Sequence, residues 1–394
     1  MQAPEPDTYT GLRVLEIGDG IAGEMTGKLL AQQGASVTKL EPPGGSPSRR
    51  TGPFRGGVDS PDASLRYWYY NTNKSSAVID LADDDGRAAL ARLLAGTDVL
   101  ISTVAPGGLH RLRLDFDQLS RDWPALIVLS ITPFGLDGPW AKRRSSDLVA
   151  LALGGVLTTC GYDDHSLPPI RPGGEHAGEL TASYAHLAVL LALLERRHGG
   201  LGQVVDVSMH EACAVSSEMA NSYWYYTGAL VQRQTCRNAQ PWPVAPILFQ
   251  CADDRYVVLT LITSDAGVWP AFVGWLAERG CIEDLDDSRY AELRCRQDNA
   301  AHIRRVAERF FASMTADQAF RDGQARGLAI GPLHAPEDLF DDDHLLARQF
   351  FVEVEHDGLP SVRYPRSAFR FSSWQQTPIT RAPALGEHTD DVLG

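Results

Sequence analysis

The chain of 394 residues predicts an α/β fold in two domains, and three observations lead there. Its first half alternates short apolar runs with amphipathic stretches, the pattern of parallel strands separated by covering helices. Its length exceeds what a single compact core encloses. From Gly228 the pattern changes, beginning with a polar, proline-containing and loop-like stretch at 232–246.

Taken in order, strands are expected at Arg13–Ile17, Ser36–Glu41, Ala77–Asp80, Asp98–Ser102 and Leu126–Thr132, each a short apolar run bounded by turn residues. Helical spacing fills Gly23–Gln33, Gly86–Leu94 and Phe116–Asp122 between them. Gly44–Asp62 is a Gly/Pro/Ser-rich loop, long enough to be functional. A long helix at Leu180–Arg197, a strand at Gln203–Ser208 and a helix from Met209 toward Tyr226 follow. Together these predict a large domain over residues 1–227 built on a parallel sheet covered by helices. Residues 228–335 read as a smaller α/β domain, with two strands inside Ile247–Ile262, helices at Trp269–Arg279, Asn299–Ala312 and Ala316–Gly323, and a further strand within Leu328–Leu333. The segment 336–394 reverts to short strand-like pieces such as Phe351–Glu355.

Composition sets outer bounds. Hydrophobic residues at 44% and charged residues at 22% describe an ordinary globular protein. A net charge of −14 excludes a nucleic-acid binder, which needs a concentrated positive field. The polar N-terminus lacks a signal-like apolar core and no uninterrupted apolar run reaches bilayer length, so a cytoplasmic chain without a membrane partner is expected. Six cysteines without C-x-x-C spacing suggest reduced thiols rather than a disulfide framework or a zinc site.

The chemistry centres on Glu179. It follows the loop Arg171-Pro172-Gly173-Gly174 and precedes Leu187, Leu190, Leu191 and Leu194, whose spacing fits a helix buried on one face. A carboxylate there lies near the positive end of a helix dipole and can act as a nucleophile that carries an acyl group. Glutamate in a first helical turn is also common, so position alone does not define a site. His176, three residues earlier, is either a base or a solvent-facing loop histidine. Local basic clusters stand out against the acidic whole: Lys39, Arg49 and Arg50; Lys74; Arg111 and Arg113; Lys142, Arg143 and Arg144. Such groups can pair with phosphates or remain solvated surface charges. A separate signal is Gly18-Asp19-Gly20-Ile21-Ala22-Gly23, which spells G-x-G-x-x-G after a strand, with Glu41 closing the next one. That combination makes an NAD-dependent oxidoreductase an alternative. Glu24 opposes it, because its charge would repel a pyrophosphate at that helix start.

Several further motifs run in a shared order. They include Gly11-Leu12-Arg13-Val14-Leu15-Glu16, the run Leu29 to Pro42, and Asn71-Thr72-Asn73-Lys74. Asp98-Val99-Leu100-Ile101 with Pro106-Gly107 and Arg111 comes next, then Gly135 to Pro139, Asp147, Gly200-Leu201-Gly202-Gln203 and Leu385-Gly386-Glu387-His388-Thr389. In this order they resemble the class III CoA-transferases, the CaiB/BaiF family. The resemblance implies a Rossmann-like large domain joined to a smaller one, a C-terminal segment returning to the first, and an interlocked-ring homodimer. It implies CoA as substrate and product, with no metal and no redox cofactor, and CoA contacts from Ala22, Lys39, Glu41, Arg49, Asn71, Asn73, Lys74, Thr103, Pro106, Gly107, Arg111, Phe134 and Gly135. The partners implied are an acyl-CoA and a carboxylic acid.

The family's nucleophile is an aspartate, and Glu179 stands at the matching position. Glutamate can run the same relay through a glutamyl anhydride and a glutamyl thioester. The departure leaves two alternatives: a weakly active subunit of a hetero-oligomer with a paralogue, or another acyl-CoA-processing enzyme. Racemase chemistry is disfavoured, because Ser145-Ser146 stands where the racemases place a histidine before the residue matching Asp147. The covering glycine run of many relatives is missing from Cys236–Pro243. Aromatics at Tyr67, Trp68, Tyr69, Tyr70, Tyr223, Trp224, Tyr225, Tyr226 and Trp242 hint at a bulky apolar acyl group or at core and interface packing.

Overall fold

A computed structural model describes residues 9–106, 108, 112, 114–373 and 376–394. The chain divides into two compact units, one formed by Met1–Val156, Pro172–Ser217 and Asp343–Gly394, the other by Leu157–Arg171 and Glu218–Asp342. The second unit therefore starts at Glu218 rather than at 228 and also takes in the stretch from Leu157.

In the first unit the elements run β1 (Arg13–Ile17), α1 (Ile21–Ala31), β2 (Ser36–Glu41), α2 (Leu65–Tyr70), β3 (Lys74–Val78), α3 (Asp84–Leu94), β4 (Val99–Ser102), α4 (Phe116–Asp122), β5 (Ile127–Thr132), α5 (Asp147–Leu153), α6 (His176–Gly199), β6 (Val204–Ser208) and α7 (Met209–Val215). The six strands form one sheet in the order β3-β2-β1-β4-β5-β6, with every neighbouring pair parallel. This is the Rossmann order, whose direction of winding reverses between β1 and β4 and opens a crevice beyond their carboxyl ends. Helices cover both faces, so β4 and β5 are buried along their whole length.

Helix α6 corrects one expectation. Its leucines Leu187, Leu191 and Leu194 are exposed by 51%, 60% and 54%, while Ala177, Gly178, Ala182, Ala185, Val189 and Ala192 face inward. Small residues let the helix lie close to α1 and the sheet, where Ala185, Val189 and Ala192 join Val14, Val99 and Ile127 in one core. By length and composition α6 is also long and apolar enough to cross a membrane, contrary to the absence expected from sequence. Its small-residue face, however, is packed inside this unit. The helix expected from Met209 toward Tyr226 is two helices, α7 and Glu218–Thr227. They are separated at Ser216 and Ser217, whose hydroxyls donate to the carbonyls of Cys213 and Gly154.

The C-terminal stretch closes the sheet's β3 edge. His388 N–H donates to the Ser76 carbonyl and Asn73 Nδ2 to the Pro378 carbonyl at 2.7 Å. The second unit has its own core of Phe272, Trp275, Phe310 and Phe311 beside a three-stranded antiparallel sheet, Leu248–Gln250, Tyr256–Leu259 and Ile330–Pro332. Its stretch 232–246, read as loop-like, contains a hairpin of Gln232–Gln234 and Arg237–Gln240. Polar strands of that kind carry no apolar alternation to reveal them.

Candidate active site

Glu179 lies in the first turn of α6, where the sequence placed it, and is half-buried. Two local features set its position. Asp147 at the start of α5 accepts the Ala177 N–H at 2.8 Å, which ties down the N-terminus of α6. Gly178 permits close approach to α1, because a Cβ there would stand 3.1 Å from Ile21 Cβ and 3.6 Å from the Ala22 nitrogen. Ala22, itself buried, therefore lines the junction beside Glu179. His176 is exposed at the helix start.

The carboxylate is held by a group the sequence reading did not single out for this role. Tyr70, the last residue of α2, donates its phenol O–H to Glu179 Oε1 at 2.7 Å. Burial first, and the glutamate beside it second, hold the Tyr70 phenol far above its ordinary value, so it remains a proton donor across the working range. Tyr69 stands edge-on to Tyr70, ring centroids 4.9 Å apart, and Lys28 of α1 places its Nζ 3.4 Å from the centre of the Tyr69 ring. Burial, reinforced by Lys74 and opposed by Glu179, pushes the Lys28 ammonium down to about 7. The available signal was the run Tyr67-Trp68-Tyr69-Tyr70, whose members do four different things. Tyr67 receives a hydrogen bond from Arg49, Trp68 stacks on His356, Tyr69 lies under Lys28 and Tyr70 holds Glu179.

The basic residues expected to meet CoA fall into two sets. Lys39, Glu41, Arg49 and Lys74 have charged ends enclosed by internal partners. Lys39 Nζ lies 2.8 Å from Glu16 and 3.2 Å from Glu24, and Lys74 Nζ donates to Glu16, the Glu24 carbonyl and Asn71 Oδ1, each at 2.8 Å. Arg49 holds Glu41 through two nitrogens and adds Asp62, Tyr67 and the Pro383 carbonyl. Burial alone would raise Glu16, but Lys39 and Lys74 outweigh it and hold that carboxyl at about 2. Glu41 is held at about 2 in the same way, against its burial, by Arg49 and Ser76. Asn71 and Asn73 are tied in as well, Asn71 to Lys74 and Asn73 to the Pro378 carbonyl. Glu24 is enclosed here too, so its charge does not face the start of α1 as a repulsive group.

The second set follows the strand ends. Thr103, just after β4, packs so tightly on the first turn of α1 that a Cβ at Gly18 or Gly23 would meet its side chain at 2.4 or 2.5 Å. Its hydroxyl is buried without a partner. Pro106 lies a few residues further on, while Gly107 and Arg111 fall outside the described residues. After β5, Phe134 packs against Trp140 and His210, Gly135 adopts φ 87°, and Asp206 anchors the turn through the Leu136 N–H. Lys142, Arg143 and Arg144 follow as exposed cations, with Arg143 over the Trp140 ring. Among the described residues no group of three or more His, Cys, Asp or Glu is placed to hold a metal ion.

A six-stranded parallel sheet in the Rossmann order, with a carboxylate tethered by Tyr70 at the start of α6, is the setting in which the comparisons fall. The profile of CoA-transferase family III matches residues 9–389, and the chain belongs to that family. It is 32% identical over 390 residues to succinyl-CoA:(R)-benzylsuccinate CoA-transferase subunit BbsE of Thauera aromatica, covering 98% of this chain and 93% of that one. It is 29% identical over 389 residues to succinyl-CoA–D-citramalate CoA-transferase of Chloroflexus aurantiacus, covering 98% and 94%. The crystal structure of a CAIB/BAIF family protein from Brucella suis matches with a TM-score of 0.86 at 26% identity, over 98% of this chain and 99% of that one. The Thauera and Chloroflexus relatives are named as CoA-transferases, enzymes for which CoA is a substrate.

Proposed function

We propose that the protein moves CoA from an acyl-CoA donor to a carboxylic acid through a covalent relay on Glu179. The observation that carries this reading is the 2.7 Å hydrogen bond from Tyr70 to Glu179 Oε1, which fixes one carboxylate oxygen and leaves the other to attack. Glu179 adds to the thioester carbonyl, and collapse of the tetrahedral oxyanion expels CoA thiolate and leaves an acyl-glutamyl anhydride. The thiolate attacks the glutamyl carbonyl, releasing the donor's carboxylate and forming a glutamyl-CoA thioester. The acceptor carboxylate then expels the thiolate to give a second anhydride, and thiolate attack on its acyl carbonyl frees the new acyl-CoA and restores Glu179. Tyr70, permanently protonated, stabilises each form in which Oε1 bears charge. Phe134, Trp140 and the exposed run Lys142–Arg144 supply a stacking surface and cations for the nucleotide end of CoA. The activities for which the relatives are named support succinyl-CoA as donor and a dicarboxylic acid as acceptor.

The protein works as a homodimer in this reading, and the exposed leucine stripe of α6 is the apolar surface that supports a second copy. A second reading is a subunit of a hetero-oligomer, favoured by relatives that are named as subunits. The deciding experiment incubates the purified protein alone with succinyl-CoA, traps with hydroxylamine or borohydride, and maps the adduct by mass spectrometry. An adduct on Glu179 that is absent from Glu179→Ala supports the autonomous relay. Bound CoA without an adduct on any acid ends it.

A further inference from the structure

The interior cations of the first unit share a rule with one exception. Lys39 and Lys74 have Glu16, and Arg49 has Glu41. Lys28 retains only 3% of its surface, yet among the described residues no carboxylate lies within ion-pair distance of its Nζ, which rests on the face of Tyr69. A ring face compensates a buried ammonium only in part, because it offers a quadrupole where water or a carboxylate would offer full hydrogen bonds. The bare cation also sits on the wall that holds the nucleophile. Tyr69 packs edge-on against Tyr70, Tyr70 bonds Glu179, and α1 and α6 meet at Ile21 and Gly178.

During the relay this arrangement becomes more demanding. Once Glu179 is acylated it carries no charge, and Lys28 loses the one anion that favours its protonated form. An acyl group with a single carboxylate brings no replacement, because that carboxylate has become the anhydride. A dicarboxylic acyl group keeps its second carboxylate ionised and can present it to Lys28. We propose that Lys28 is the specificity-determining residue of the acyl site, binding the second carboxylate of a dicarboxylic acyl group while Glu179 carries the first. This deepens the transferase reading and rests on it for the covalent step. Selectivity then comes from the counter-ion: a dicarboxylic acyl group supplies the anion that keeps Lys28 protonated and pairs with it, and a monocarboxylic one supplies none.

The test compares succinate with butyrate, as free acids in calorimetric titrations and as CoA thioesters in transfer assays, on the wild type, Lys28→Met and Lys28→Arg. The expected wild type binds succinate at least about tenfold more tightly than butyrate. Lys28→Met abolishes that preference, lowers kcat/KM for succinyl-CoA at least about tenfold and raises it for butyryl-CoA, while Lys28→Arg retains part of the preference. Its melting temperature is expected to stay level or rise, since an unpaired interior charge has been removed. Equal binding of the two acids by the wild type overturns the proposal, as does a loss of the same factor on both thioesters in Lys28→Met. A succinate preference that depends on Lys28 without transfer from any donor sinks the relay and keeps the anion site. A Glu179 adduct without such a preference does the reverse.

Discussion

Helix α1 carries two interior charges one turn apart, and their fates differ. Glu24 and Lys28 are enclosed almost equally, at 1% and 3% exposure. Glu24 enters a closed network in which Glu16, Lys39 and Lys74 supply each other's partners, whereas Lys28 faces a ring and the wall of the candidate site. Burial alone therefore does not separate structural from functional charge. What separates them is whether the protein itself provides the counter-ion.

The widest contrast comes from removing the anion on each side. Glu179→Gln is expected to abolish the trapped adduct and cut transfer on the order of 10⁴-fold while leaving the melting temperature unchanged, and Glu179→Asp to cost ~100-fold, both read from initial rates. Glu16→Gln leaves two interior ammoniums without their shared carboxylate. It should cost about 3–5 kcal/mol in urea unfolding, with the remaining folded protein still active. Equal effects of Glu16→Gln and Glu179→Gln on both stability and rate would erase the distinction.

Smaller changes sharpen it. Tyr70→Phe removes a hydrogen bond to a charged oxygen, and kcat should fall ~10–100-fold with KM for CoA and stability little altered. Gly178→Ala pushes α6 off Ile21 and should cost about 1–3 kcal/mol, measured by denaturant midpoint, together with some activity.

The pH dependence of stability separates the two clusters by window: in both, stability rises with pH, but over different ranges. Glu16 and Glu41 are held at about 2 against an ordinary 4.5, so their contribution is complete above 4.5 and disappears as pH falls from there toward 2. Lys28 is held at about 7 against an ordinary 10.5, so between those values the unfolded chain binds the extra proton and stability rises with pH. Chemical denaturation of wild type and Lys28→Met from pH 7 to 10 should show the steeper rise in the wild type, the remainder in Lys28→Met coming from Lys74, which burial also holds below its ordinary value. The acid limb should be common to both.

Much of the fold was legible because parallel strands buried on both faces are continuous apolar runs. β1 and β2 have the bounds read from sequence, and α4 matches residue for residue. β3 begins at Lys74, not Ala77, since Lys74-Ser75-Ser76 looks polar and its partners Glu16 and Glu41 lie far away in the chain. The same distance concealed the closed network: a lysine inside a strand resembles a solvent-facing charge until its counter-ion is located. In α6 the leucine periodicity was real but marked the outward face, because alanines and a glycine provide the close inner contact. Glu179 could be singled out through the family pattern. Tyr70 and Lys28 could not, because each meets the carboxylate's surroundings from a different element.

The last stretch of the chain governs when the first can be finished. β3 is an edge strand whose outward groups, the Ser76 carbonyl and the Val78 N–H, are taken by His388 and Thr389. A ribosome adding ~5–20 residues per second completes the strands long before those two residues emerge. The sheet must therefore wait, open along one side, through synthesis of the whole second unit, and an open strand edge invites pairing with a neighbouring nascent chain. The tail acts as a closing stitch in time as well as in space, so a chain cut short of His388 is expected to aggregate during expression rather than survive as a slightly weaker protein.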